Sequence, residues 1–86
     1  MERLTTKNED GSYAPLPGMQ ERAMQRLGCW EDMAEQLEQE QAAVAAEMEA
    51  LRGRGKEKSV RFRELFARKL TVANMLDALR RSDRTE

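Results

Sequence analysis

The basic residues between Leu51 and Leu70 are the part of this sequence best suited to chemistry, and that chemistry is the binding of an anion. In "LRGRGKEKSVRFRELFARKL", two glycines and eight basic side chains sit where a loop runs into a helix. A helix start carries partial positive charge and free N–H groups, so acids are favoured in its first turn. Here the entry carries Lys56, Lys58, Arg61 and Arg63, with Glu57 the only acid before Glu64. Backbone N–H groups, the Ser59 hydroxyl and the cations Arg54, Lys56, Lys58 and Arg61 can together hold a compact anion. The competing reading is structural, with these cations pairing with Glu47 and Glu49 across the turn. Lys69 is a second anomaly. On a helical wheel it falls between Phe62 and Leu76, inside an apolar stripe. A lysine there must snorkel, pair with a buried acid, or face a ligand held between subunits.

Other chemistry is poorly supplied. The chain has no histidine, which removes the commonest acid–base group and metal ligand. Cys29 is the single cysteine and has no base near it in sequence. The glycine–lysine pair in "GRGKEKS" lacks the spacing of a phosphate-binding P-loop and has no strand before it. No catalytic residue, metal site or cofactor is expected, and the protein is read as a non-enzyme.

The elements that must position these residues follow from periodicity. Residues 1–18 read as a separate N-terminal arm or small β-hairpin. Short β-prone runs flank an Asn-Glu-Asp-Gly turn, and two prolines and a glycine then stop any regular element. From about residue 19 to 52 the pattern is helical, with Gly28 a point where the helix could bend or break. Ala23, Leu27, Trp30, Ala34, Leu37, Gln41, Val44, Met48 and Leu51 alternate spacings of four and three. This is a heptad seam, flanked by Glu31, Glu38, Glu40 and Glu47, with Gln41 as a register-setting polar residue. Residues 53–58 form a basic glycine loop that ends this helix. Ser59 is a suitable N-cap for a second helix over about 59–81.

On that second helix Phe62, Leu65, Phe66, Leu70, Val72, Ala73, Leu76 and Leu79 cover about half the circumference. A stripe that wide can contact more than one neighbour. The predicted fold is mainly all-α: an antiparallel helical hairpin over residues 19–86 with the short arm before it. Because such a hairpin exposes more apolar surface than it can cover, a homo-oligomer is expected.

Net charge is −1 over 86 residues, but it is polarised. Residues 1–51 hold four basic and eleven acidic side chains; residues 52–86 hold eleven basic and five acidic. Charged residues make up 36% of the chain and aromatics 5%, which suits an exposed helical protein. No apolar run approaches the roughly 18 residues of a membrane span. The start, "MERLTTKNEDGSY", lacks the apolar segment of a secretory signal. With one unpaired cysteine, the expected location is the cytoplasm, that of the host cell if a phage encodes the protein.

"MERLTTKNEDGSY" followed by "AMQRLGCWED" resembles the opening of small hypothetical proteins common in phages and prophages of gut bacteria. Shared features are the arginine-leucine-threonine segment, the aspartate-glycine turn and the aromatic-Glu-Asp triplet, here Trp30, Glu31 and Asp32. "GKEKSVRFRELFARKLTVANML" also looks like a recurring ending of such proteins. Where many of those proteins break at a threonine-proline after the triplet, this chain continues as "MAEQLEQE". The resemblance implies no defined activity and no functional residues.

Three functional classes are compatible with these readings. The first is a non-enzymatic accessory protein that sequesters a small phosphorylated ligand of the cyclic-nucleotide kind in basic inter-subunit pockets. Arg54, Lys56, Lys58, Ser59, Arg61 and Lys69 would hold the phosphates, and Trp30 and Phe62 would stack on bases. The second is a protein–protein module, capturing a helix in the heptad seam or blocking a host defence protein through the acidic first helix. The third is a nucleic-acid binder using residues 52–69, which hold eight basic and two acidic side chains. The negative overall charge and the wide apolar stripe weigh against the third, and the first is the expectation taken forward.

Overall fold

A computed structural model describes residues 1–83. The chain is mainly helical, with a two-stranded antiparallel hairpin at its N-terminus. Strands β1 (Thr5–Lys7) and β2 (Tyr13–Pro15) precede helices α1 (Gln20–Gly53) and α2 (Val60–Ser82). No helix among the described residues is long and apolar enough to cross a membrane. The fold divides into an N-terminal unit, Met1–Asp32, and a second unit that begins at Met33.

In the N-terminal unit the hairpin is ordered by its turn. β1 and β2 pair Thr5 with Pro15, Thr6 with Ala14 and Lys7 with Tyr13. Between them, the Asp10 carboxylate accepts from the Ser12 N–H (2.9 Å) and hydroxyl (2.6 Å). The Asn8 N–H donates to the Ser12 carbonyl (2.7 Å). Gly11 has φ of +90°, a conformation that other residues seldom adopt. The Ser12 bonds hold the Asp10 carboxyl below the usual carboxylate range. The Leu16 N–H reaches back to the Leu4 carbonyl (2.9 Å), and the Met19 N–H to that of Leu16 (2.9 Å), leading the chain into α1. Leu4 is the buried apolar residue of this unit.

α1 runs unbroken through Gly28. No atom lies within contact distance of where a Cβ on Gly28 would be, so the glycine is not required by packing. Its cost in a helix, about 1 kcal/mol against Ala, is small beside the rest of the element.

In the second unit the two helices pack as the heptad pattern predicts. Val44, Met48, Leu51 and Leu65 form one buried cluster, with Phe62 packed against it. Leu37, Val72 and Leu76 form another, with Leu79 against it. Val72 is fully buried. Between the clusters in the heptad register stand Gln41 on α1, partly buried, and Lys69 on α2, exposed. Polar residues at those two positions explain why the core is two clusters rather than one.

The turn joining the helices has a Schellman geometry. Lys56 N–H donates to the Leu51 carbonyl (2.8 Å) and Gly55 N–H to that of Arg52 (3.0 Å). Gly55, with φ of +70°, supplies the left-handed residue, while Gly53 still belongs to the helix. Ser59 caps α2: its hydroxyl accepts from the Phe62 N–H (3.2 Å) and donates to the Lys56 carbonyl (2.7 Å). At the other end Arg80 and Arg81 sit in the last turn, where the helix dipole favours cations.

Candidate functional site

Two regions hold the residues singled out from the sequence. The first is the turn and the start of α2. α2 has no acid in its first turn, so the positive helix end is not neutralised from within the helix. Two members of the expected anion site, Arg61 and Ser59, have structural partners. Arg61 donates to both carboxylate oxygens of Glu47 on α1, from Nε (2.7 Å) and Nη2 (2.9 Å), and also lies near Glu64 (3.7 Å). The guanidinium holds the Glu47 carboxyl below its ordinary range, and Glu47 raises Arg61 in turn. The Ser59 hydroxyl is engaged in capping.

Arg54, Lys56 and Lys58 are exposed, and none makes a side-chain ion pair among the described residues. Lys69 is likewise exposed. It stands on the core face of α2 yet carries its ammonium to water, as long basic side chains do. Phe62 is partly buried, packed on the first cluster, and the Arg52 guanidinium lies 5.6 Å from its ring centre. Its ring is therefore a core contact with one face under a cation.

A second cross-helix pair, not singled out from the sequence, joins Arg68 to Glu40. Arg68 Nη2 donates to Glu40 Oε1 (2.7 Å) and Nε donates to the other carboxylate oxygen. Here too the guanidinium depresses the carboxyl. The signal was present: Glu40 and Glu47 are seven residues apart, as are Arg61 and Arg68. Two acids and two arginines at heptad spacing on antiparallel helices meet pairwise in a single register.

The second region is a groove of about 830 Å³ in the N-terminal unit. Its apolar walls are Leu4, Tyr13, Ala23, Met24, Leu27 and Trp30, joined by Arg3 and Arg26. Ala23, Leu27 and Trp30 are successive seam positions of α1. Leu27 is 51% exposed and Trp30 47%, although the same seam is buried further on at Leu37, Val44, Met48 and Leu51. The hairpin supplies the opposite wall and is tied to α1 by Arg26, whose guanidinium donates to the Glu2 carbonyl. Arg3 donates to the Thr5 carbonyl (2.8 Å), and both Arg3 and Lys7 lie 5.9 Å from the Tyr13 ring centre. Trp30 thus belongs to this groove and Phe62 to the core of the second unit. The groove was not legible in the sequence, because its hairpin wall is brought to the seam by tertiary contacts that no periodicity encodes.

No protein family matches the chain, and no curated protein or solved structure is significantly similar to it.

Proposed function

We propose that this is a non-enzymatic binding protein whose N-terminal groove receives an amphipathic helix of a protein partner. One observation carries the reading: α1 leaves two successive seam side chains, Leu27 and Trp30, half exposed inside a groove. Helix-in-groove recognition uses anchors at that spacing, and the groove size suits two or three such side chains. Aromatic anchors such as Trp30 favour protein contacts. Arg3 and Arg26 on the walls favour a partner helix with acidic flanks. The resemblance to small phage proteins suggests the setting: an accessory protein that captures a helix of a host defence protein and acts by stoichiometry.

Trp30 is the only tryptophan, so its fluorescence reports on the groove alone. Titration with an amphipathic helical peptide, leucine at heptad positions and glutamate on its flanks, should shift Trp30 emission to shorter wavelength and saturate. Leu27→Glu should remove the shift. An unchanged spectrum, or an equal shift in the Leu27→Glu protein, counts against this use of the groove.

A second reading has its own observation. Among the described residues Arg54, Lys56 and Lys58 are three exposed cations without acidic partners at a helix start, which suits a small phosphorylated ligand such as a cyclic nucleotide. Thermal shift with cyclic di- and trinucleotides at two salt concentrations tests it. A salt-sensitive stabilisation lost in Lys56→Gln/Lys58→Gln supports a ligand site there; no shift in the wild-type protein removes it.

A further inference from the structure

α2 has a second apolar face that the helical hairpin does not cover. Leu65, Val72 and Leu76 point into the core, but Phe66 is 49% exposed and Leu70 51%. At 100° per residue these two, with the partly buried Ala73, form a stripe about 100° around the helix from the core face. Of the charges on this stripe, Arg63 and Asp77 are placed symmetrically about Leu70, and Arg81 follows one turn beyond Asp77. Arg63 lies seven residues before Leu70 and Asp77 seven residues after it, and both are exposed. Seven residues is close to two turns, so all three share one meridian of the helix.

A stripe reading Arg63, Phe66, Leu70, Ala73, Asp77 is complementary to its own reverse. Laid antiparallel on itself about an axis near Leu70, it brings Arg63 of each copy to Asp77 of the other. The large Phe66 then stands on the side of the small Ala73, and Leu70 meets its equivalent at the centre. Twofold contacts require this property, because one patch must serve as both halves of the interface. A parallel arrangement would instead set Arg63 against Arg63 and Asp77 against Asp77. Asp77 also forms an ion pair with Arg81 (3.4 Å) within its own helix, and a carboxylate has acceptor positions for a second guanidinium. Arg63 makes no side-chain ion pair among the described residues.

From this we infer that the Phe66–Leu70 face binds a second copy of the chain as an antiparallel α2–α2 dimer, with reciprocal Arg63–Asp77 pairs. The dimer surface is separate from the residues of the N-terminal groove, so its test does not depend on the function proposed for that groove.

Charge reversal tests the pairing, and the substituted positions are exposed, so folding is checked simply by unchanged far-UV circular dichroism. Sedimentation equilibrium of the full chain should give twice 9.9 kDa. Arg63→Asp alone sets two carboxylates together at both ends of the interface, and Asp77→Arg alone sets two guanidinium groups together. Each should raise the dimer dissociation constant by about tenfold or more. An equimolar mixture of the two single variants should recover the dimer mass, because only the mixed pair is complementary at both ends. The double variant Arg63→Asp/Asp77→Arg should recover it alone. Leu70→Glu should give a folded monomer. A wild-type chain that stays at 9.9 kDa overturns the inference, as do single variants that dimerise unchanged or a mixture that fails to recover.

Discussion

The two halves of α1 carry the same heptad pattern and meet different fates. Over Leu37, Val44, Met48 and Leu51 the seam is buried against α2. Over Leu27 and Trp30 it stays half exposed in a groove walled by the β-hairpin. The difference shows what periodicity can and cannot determine. A repeat of apolar residues fixes which face of a helix must leave water; it does not specify whether the covering element belongs to the same chain. In the second unit Arg61–Glu47 and Arg68–Glu40 flank the seam in matching heptad register. In the N-terminal unit a turn centred on Asp10 and Gly11 and a single buried leucine, Leu4, build a wall with an opening.

The sharpest contrast between buried and exposed faces should appear in truncations of α2. Leu76→Ala leaves a cavity beside Val72 and Leu37 and should cost about 2–4 kcal/mol in urea unfolding. Phe66→Ala, on the exposed face, should cost less than about 1.5 kcal/mol when measured below the dimer dissociation constant. Equal losses would break the distinction between core face and contact face.

Smaller effects of opposite sign separate capping from helix propensity. Ser59→Ala removes the acceptor of the Phe62 N–H and should cost about 1 kcal/mol. Gly28→Ala meets no atom within contact distance and should stabilise α1 by up to about 1 kcal/mol. A destabilised Gly28→Ala protein would mean that the N-terminal part of α1 needs a bend the structure does not show.

The smallest effect is electrostatic. Glu40 and Glu47 have depressed carboxyl pKa values in the folded chain, each through its arginine partner. A group depressed on folding contributes fully above its unfolded value, and that contribution is lost as pH falls through the folded value. Urea midpoints should therefore decline below the ordinary carboxylate range. Glu40→Gln/Glu47→Gln should flatten part of that decline while lowering the midpoint slightly at neutral pH. Asp10→Asn probes the equivalent contribution of the hairpin turn, whose carboxyl is depressed by Ser12. A decline with the same slope in the double variant would show that the cross-helix pairs do not contribute to it.

Much of the fold was legible because local signals agreed. The alternating spacings from Ala23 to Leu51, the glycine-rich turn and Ser59 place both helices, within a residue or so of Gln20–Gly53 and Val60–Ser82. The Asp-Gly turn marked a hairpin as one of two options for residues 1–18, and β1–β2 realise it. The site was less legible, for a physical reason. Cations at a helix start read alike whether they face an anion or a carboxylate on the next helix. In the folded chain Glu47 on α1 commits Arg61 to an ion pair, while Arg54, Lys56 and Lys58 stay exposed. Trp30 and Phe62 read equally as aromatics on apolar faces. Which one is accessible depends on the hairpin and on α2, neither of which is local to it in sequence.

On the proposed function the two halves of the α1 seam differ in use: one half holds the fold and the other receives a partner helix. Matched substitution of Leu27→Gln and Leu37→Gln, followed by urea unfolding and by the Trp30 peptide titration, tests it most directly. Leu37→Gln buries a polar group in the second cluster and should lower stability by about 2 kcal/mol or more. Leu27→Gln should leave the unfolding free energy within about 0.5 kcal/mol of wild type and abolish the peptide-induced shift. A Leu27→Gln protein as unstable as Leu37→Gln, or one that still binds the peptide, would contradict the division of the seam.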